Sequence, residues 1–447
     1  MSIGDVAARQ APVARDAAED CVLEAIAAGR DELVDLVTTL IGFDTTTRDG
    51  VGPARQERDL QEYVGKRLSA VGAEVDIWEP AAQSLDQSRQ IPNELNWEGY
   101  PQLVGRVRGR SSTRSLLLSG HIDTVSPEPM GSWNSDPFVA TVREGMLIGR
   151  GAADMKGGVA AMIYATEALR RCGIELGGDL LLNTVTDEES TSAGGVATLA
   201  HGVRADACII AEPTALNLGI ACRGSLLPSI HIRGQAGHAA AVQPHWRSLG
   251  AISAIEKAAP VLAAVVRLRE TWRDEPEHQH PYLPAGTVVA TTIAGGQWLV
   301  SYADACRIEC HISYLPGQAD ENGYGTRVEE EFAAWLHRST AGDPWLAAHP
   351  PQVTWSIDVP PAEISPDEPV VRAVQDALQY LGLHGRLFGC DFWHDGATYT
   401  RAGIPSLVFG PGHVSSAHTA DEYVPIDHLV IAAQTLALAA IRFCRPG

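Results

Sequence analysis

The chain has 447 residues, 45% hydrophobic and 20% charged, which reads as a soluble, globular protein of two domains. Its 34 basic and 55 acidic side chains leave a formal charge of −21, which argues against nucleic acid or an anionic membrane as partner. Eight scattered cysteines with no Cys-x-x-Cys pair, no apolar h-region in residues 1–20 and no run expected to span a bilayer point to reduced, buried thiols and a cytoplasmic location.

In chain order, a first helix is expected over Ala18–Ile41. A second is expected over Arg55–Val71, where Leu60, Val64, Leu68 and Val71 recur at helical spacing. "AEVDIW" (73–78) reads as a strand and residues 80–101 as a long polar loop. "QLVGRV", "SLLLSG", "DLLLNTV", "ADACIIA" and "PSLVFG" follow as short apolar runs. Between them stand helical stretches, notably Gly157–Arg171 and Pro369–Leu381. Runs without polar alternation suit strands buried on both faces, so the class is α/β, a mixed sheet covered by helices. The middle differs. "SLLPSIHIRGQAGH" (225–238) and "ACRIECHISYL" (305–315) alternate with period two, as strands with one wet face do, and Ser248–Val266 between them reads as a helix. The expected organisation is a catalytic domain from 1–224 and 346–447, with a smaller α+β sandwich inserted at 225–345.

Four segments put polar groups just beyond or between such elements. "SLLLSGHID" gives His121 and Asp123, "GRGAADMKGG" gives Asp154, "LLNTVTDEES" ends in Asp187, Glu188 and Glu189, and "CIIAEPT" ends in Glu212. Far downstream, "GPGHVSSAHTADE" supplies His418. Ligands of open α/β sheets bind outside the carboxyl ends of the strands, so the fold can converge these groups on one edge. Acidic groups gathered in one crevice repel and raise each other's pKa, and divalent cations reverse that penalty. Two histidines and three carboxylates suffice for two metals if one carboxylate bridges. Mixed N/O donors favour zinc, with cobalt or manganese as alternatives. One carboxylate must stay off the metals to take a proton from water, and consecutive Glu188 and Glu189 can divide those tasks.

The ordered series "GHIDTV … DPF … GRGAADMKGG … DEES … EPT … FGPG … AHTADEYV" resembles the M20 metallopeptidase family over nearly the whole chain. That family includes acetylornithine deacetylase, succinyl-diaminopimelate desuccinylase, aminoacylase and glutamate carboxypeptidase. The resemblance implies that His121 and Glu212 bind one metal, Glu189 and His418 the other, and Asp154 both. It implies that Asp123 hydrogen-bonds His121 and fixes its tautomer, and that Glu188 is general base and then acid. It identifies the insert as a lid and dimerisation domain, with His238 of "RGQAGHAA" reaching the partner's active site in a homodimer to help hold the oxyanion. Asp395 falls where relatives carry an acidic residue and is read as structural. Arg223, His394 and His413 are weaker pocket candidates. Cys306 and Cys310 read as buried strand residues, and Trp133 as packing.

One departure stands out. Relatives carry an Asn-Val-x-Pro segment and then an Asp-Ile-Arg motif whose arginine clamps a substrate carboxylate. Here the segments read "QWLVSYADA" and "CHISYLPG", and Ser313 takes the arginine's place. A hydroxyl does not replace a bidentate guanidinium. Trp298 is expected either to face the substrate or to pack within the lid. The expected activity is deacylation of a small N-acylated amine or amino acid. The alternatives are a dipeptidase or carboxypeptidase on the same scaffold, and a binding protein on a retired hydrolase fold. A panel of acyl-amino acids and dipeptides separates the first two, and metal analysis tests the third.

Overall fold

The computed structural model describes residues 16–47, 55–81, 88–91 and 95–445. The expectations for the first fifteen residues, and for 82–87 and 92–94 of the polar loop, lie outside these. Two main sheets organise the chain, and both have their own buried apolar core.

The larger sheet is mixed. Its strands run in the order Glu74–Trp78, Gln102–Val107, Leu180–Val185, Leu116–His121, Ala207–Ile210, Ser406–Val408, Leu218–Cys222 and Ala362–Glu363, and Leu387–Cys390 also pairs with Leu218–Cys222. Leu116–His121 is parallel to both of its neighbours. Every residue of Leu116–His121 and of Leu180–Val185 is buried, as unbroken apolar runs between two helical layers require. The helix Lys156–Arg171 packs against the sheet and is buried along all but its last two residues.

Register decides where the chemistry sits. His121 pairs with Val185, so Glu188 and Glu189 follow just past the same strand end. On the other side Ser119 pairs with Ile210, which brings Glu212 level with His121. Three neighbouring parallel strands thus release their polar residues at one edge.

The second sheet is antiparallel, ordered Thr287–Gly295, Ala305–Tyr314, Gly224–Arg233, Gln352–Val359. Leu226, Ile230 and Ile232 alternate onto a core with Val261, Leu268 and Trp272 of the helix Ala254–Asp274 and Phe332 of Thr326–Thr340. The strand Gln352–Val359 lies beyond residue 345, where the insert was expected to end.

Several elements differ from expectation. The first helix is two, Ala17–Ala28 and Arg30–Ile41, broken at Gly29. A Cβ there would lie 1.7 Å from the Tyr164 hydroxyl, so the close approach of the helix Lys156–Arg171 requires glycine. The helix expected at 248–266 starts at Ala254, where the Ser253 hydroxyl accepts from the Glu256 N–H and caps it. The helix Ile426–Phe443 is long and apolar enough to cross a membrane by composition, contrary to expectation, and it packs on Lys156–Arg171 and Pro369–Tyr380. All eight cysteines are free thiols. Six are buried, Cys172 is half-buried and Cys21 is exposed.

Candidate metal centre

The side chains named from sequence meet at the edge of the larger sheet. His121 Nε2 is 3.0 Å from Asp154 Oδ1 and 3.6 Å from Glu212 Oε1. His418 Nε2 is 3.4 Å from Asp154 Oδ2 and 3.0 Å from Glu189 Oε2. The two oxygens of Asp154 therefore face different histidines. Two ligand-sized groups result, His121–Asp154–Glu212 and Asp154–Glu189–His418, and they share that one carboxylate. Glu188 belongs to neither group, yet its Oε2 is 3.9 Å from His121 Nε2 and it lines the same cavity.

Local backbone sets these positions. Asp187 adopts φ 67° and turns the chain sharply between the strand Leu180–Val185 and the short helix Glu188–Thr191. His418 sits at φ 59° in the last loop, a conformation uncommon outside glycine and frequent at functional sites.

The sequence expected the Asp123 carboxylate to orient His121. The structure assigns that hydrogen bond to the Asp123 carbonyl oxygen, 2.9 Å from Nδ1, with the carboxylate at 3.6 Å. The chain turns directly after the strand and so presents the carbonyl first. The carboxylate instead accepts from the Glu188 and Glu189 N–H groups. Either way Nδ1–H is engaged and Nε2 is left for the carboxylates.

The electrostatics are those of a cation site. Burial and then the charge of Asp154 hold Glu189 up to about 7. Burial raises Glu188 and Glu212 well above the carboxylate range. Burial would lower His121, but Glu212, Asp154 and Glu188 reverse it. Hydrogen bonds to Asp154 and Glu189 hold His418 up at about 10. Glu189 Oε1 is buried with no hydrogen-bond partner. Mixed nitrogen and oxygen donors, a shared carboxylate and an orphaned carboxylate oxygen fit two divalent cations.

Sequence reasoning missed Glu422. It pairs with Arg150 at 2.7 Å, both fully buried, and accepts from the N–H groups of Gly151, Ala153 and Asp154. It thereby ties the loop of His418 to the loop of Asp154, and its only signal was an acid four residues beyond His418. Glu422→Ala strands the buried guanidinium and is expected to cost about 3–5 kcal/mol of stability. Urea unfolding and metal content measured on one sample check this, and both should fall.

Other expectations resolve variously. Arg223 lines the cavity. His394 is buried away from it, and burial holds it down to about 4. His413 accepts from Ser415 N–H at a turn. Asp395 is buried beside Gly195 and does not line the cavity. Trp133 donates to the Pro127 carbonyl and lies against Arg150. His238 is exposed in a turn of the second unit and does not line the cavity of its own chain. Trp298 does not pack within the lid and does not line the cavity of its own chain. It is 71% exposed and, with Leu299 and Val300, forms an apolar surface patch.

A third group, Glu275, His278 and Glu331, is also close enough for a metal. Gln318 Oε1 accepts from Leu315 N–H, so its amide nitrogen donates to His278 Nδ1. The remaining imidazole proton then sits on Nε2, 3.7 Å from both Glu275 Oε2 and Glu331 Oε1, and Glu331 also accepts from the Trp272 indole N–H, so neighbours within the fold account for the group.

With the geometry in place, comparison with known proteins decides the family. Residues 117–442 match the model of peptidase family M20/M25/M40. The chain belongs to that family. The M20 family is metal-dependent, in keeping with the ligand groups above. The N-formyl-4-amino-5-aminomethyl-2-methylpyrimidine deformylase of Halalkalibacterium halodurans is 31% identical over 93% of this chain and 95% of its own length. The acetylornithine deacetylase of Pectobacterium carotovorum is 30% identical over 79% of this chain and 85% of its own. Both are hydrolases of N-acyl C–N bonds. Human carnosine dipeptidase 1 has the same M20 fold at TM-score 0.72 and 16% identity, covering 96% of this chain and all of that one.

Proposed function

We propose that this M20 protein is a dinuclear metal-dependent amidohydrolase that removes the acyl group from a small N-acylated amine. The observation that carries the reading is Asp154, shared between two ligand groups, with Glu188 beside them and outside both. His121 and Glu212 would hold one ion, Glu189 and His418 the other, and Asp154 would serve both. Zinc is the favoured metal. Bound there, the ions supply Lewis acidity to the acyl carbonyl and to water.

The chain's own part is proton handling and positioning. Glu188 takes a proton from the attacking water, whose oxygen bonds to the acyl carbon. When the C–N bond breaks, Glu188 gives that proton to the departing amine, so a carboxylic acid and an amine are released. Burial keeps the Glu188 carboxyl less acidic than in water, which suits both transfers. The apolar patch at Trp298–Val300 supports a homodimer through the second unit, in which His238 reaches the partner's cavity and steadies the developing oxyanion.

Ser313 in place of a carboxylate-binding arginine, together with the deformylase relative, favours an amine half without an α-carboxylate. A formylated aminopyrimidine is the preferred substrate of this class. The test is metal analysis followed by a hydrolysis panel. Two equivalents of zinc per chain are expected, with N-formyl and N-acetyl amines cleaved in preference to dipeptides. Full activity after chelation, or a preference for dipeptides, would overturn the proposal.

A further inference from the structure

The cavity at the metal centre has a volume of about 360 Å³, enough for one small molecule. Beyond the ligand groups it is lined by Ser225, His311 and Ser313 from the second sheet and by Phe392 and Trp393 from the loop after the strand Leu387–Cys390. Ser225 and Ser313 are directly opposed across neighbouring strands. His311 lies two residues before Ser313 and so shares its face.

We propose that the amine half of the substrate is a planar nitrogen heterocycle, stacked on Phe392 and Trp393 and hydrogen-bonded by His311, which selects it. The proposal rests on the amidohydrolase reading above and extends it to the residues that read the substrate.

Three observations carry it. His311 Nε2 is 2.8 Å from the Ser225 hydroxyl, which fixes the ring, and among the described residues Nδ1 has no hydrogen-bond partner. Burial and then the charge of Arg223 hold the imidazole below its usual pKa, so at neutral pH it is uncharged. An uncharged imidazole beside two hydroxyls offers donors and acceptors without net charge, which matches a ring nitrogen flanked by an exocyclic amine. The nearest cation, Arg223, donates from Nη2 to the Asp391 carbonyl at 3.0 Å. It thereby holds the loop that carries the two aromatic rings, and such rings recognise flat π-systems by stacking.

The experiment uses the full-length zinc-loaded protein and two free amines as calorimetric probes, 4-amino-5-aminomethyl-2-methylpyrimidine and benzylamine. Benzylamine keeps the ring and lacks its nitrogens. His311→Phe should weaken the pyrimidine roughly 30-fold and benzylamine by less than about threefold, since a polar site discriminates only where the ligand carries matching groups. His311→Gln, which keeps a donor and an acceptor, should recover part of the loss. Trp393→Ala should weaken both amines by about tenfold. Equal losses for both amines in His311→Phe would overturn the proposal, as would tighter binding of ornithine than of the pyrimidine. Kinetics on the N-formyl derivatives separate the two levels of inference. Binding of the pyrimidine that depends on His311 without cleavage of its formamide sinks the amidohydrolase reading alone. Cleavage that is indifferent to His311 sinks this one alone.

Discussion

Glu188→Gln should abolish turnover while leaving the metals in place. Glu188 is buried, its Oε1 lies 3.4 Å from the Ser192 hydroxyl, and it stands outside both ligand groups. Glutamine has the same shape and keeps that hydrogen bond, but it cannot accept the proton of the attacking water. Positioned acid–base groups contribute about 10²–10⁴-fold, and here one residue serves both transfers, so kcat should fall by at least ~10³-fold. Metal content should match the unaltered protein. Thermal stability should hold or rise, because a buried carboxyl held against its charged form becomes a neutral amide. Glu189→Gln is the contrast. Its Oε2 faces His418 at 3.0 Å, so that variant should lose metal as well as rate. Substantial activity in Glu188→Gln would remove Glu188 from the mechanism.

Metal removal should have the largest effect on stability. Three buried carboxylates, Asp154, Glu188 and Glu212, and the half-buried Glu189 crowd one crevice and repel. A ligand present at a thousand times its dissociation constant adds about 4 kcal/mol by mass action. At about 2.1 cal/mol/K of unfolding entropy per residue, a chain of this length shifts by about 1 °C per kcal/mol, so chelation should lower Tm by roughly 4 °C for each ion removed. Calorimetry with zinc and with a chelator measures the difference. Asp154→Ala should erase it, because both ligand groups lose a member together. A zinc-dependent rise in Tm as large in Asp154→Ala as in the unaltered chain would show that Asp154 bridges nothing.

Much of this was legible in the residues. Leu116–Leu118 and Leu180–Leu182 read as buried strands because neither run has a polar alternate, and both are buried in the sheet. The ligands were legible for the same reason, since each polar set follows where such a run or a glycine pair stops. Backbone turns were not legible. Which Asp123 oxygen meets His121 depends on how the chain leaves the strand, and side-chain chemistry does not encode that. The break at Gly29 was hidden because helical spacing runs straight through it, and its cause is Tyr164, far away in sequence. The strand Thr287–Gly295 passed unread because most of its residues face solvent, so no apolar period marks it. Glu422 escaped because its partner, Arg150, is brought to it only by the tertiary fold.

The paired ligand groups draw on residues from 121 to 418, and the last of them rides on a loop pinned by Glu422. A nascent chain leaving the ribosome therefore carries all of His121, Asp154 and Glu212 long before His418 completes the second group. Until that loop docks, Asp154 and Glu189 lack the histidine of their group. Completing the second group is thus a late event in the life of the molecule, and it marks a chain in which residues far apart along its length have already found each other.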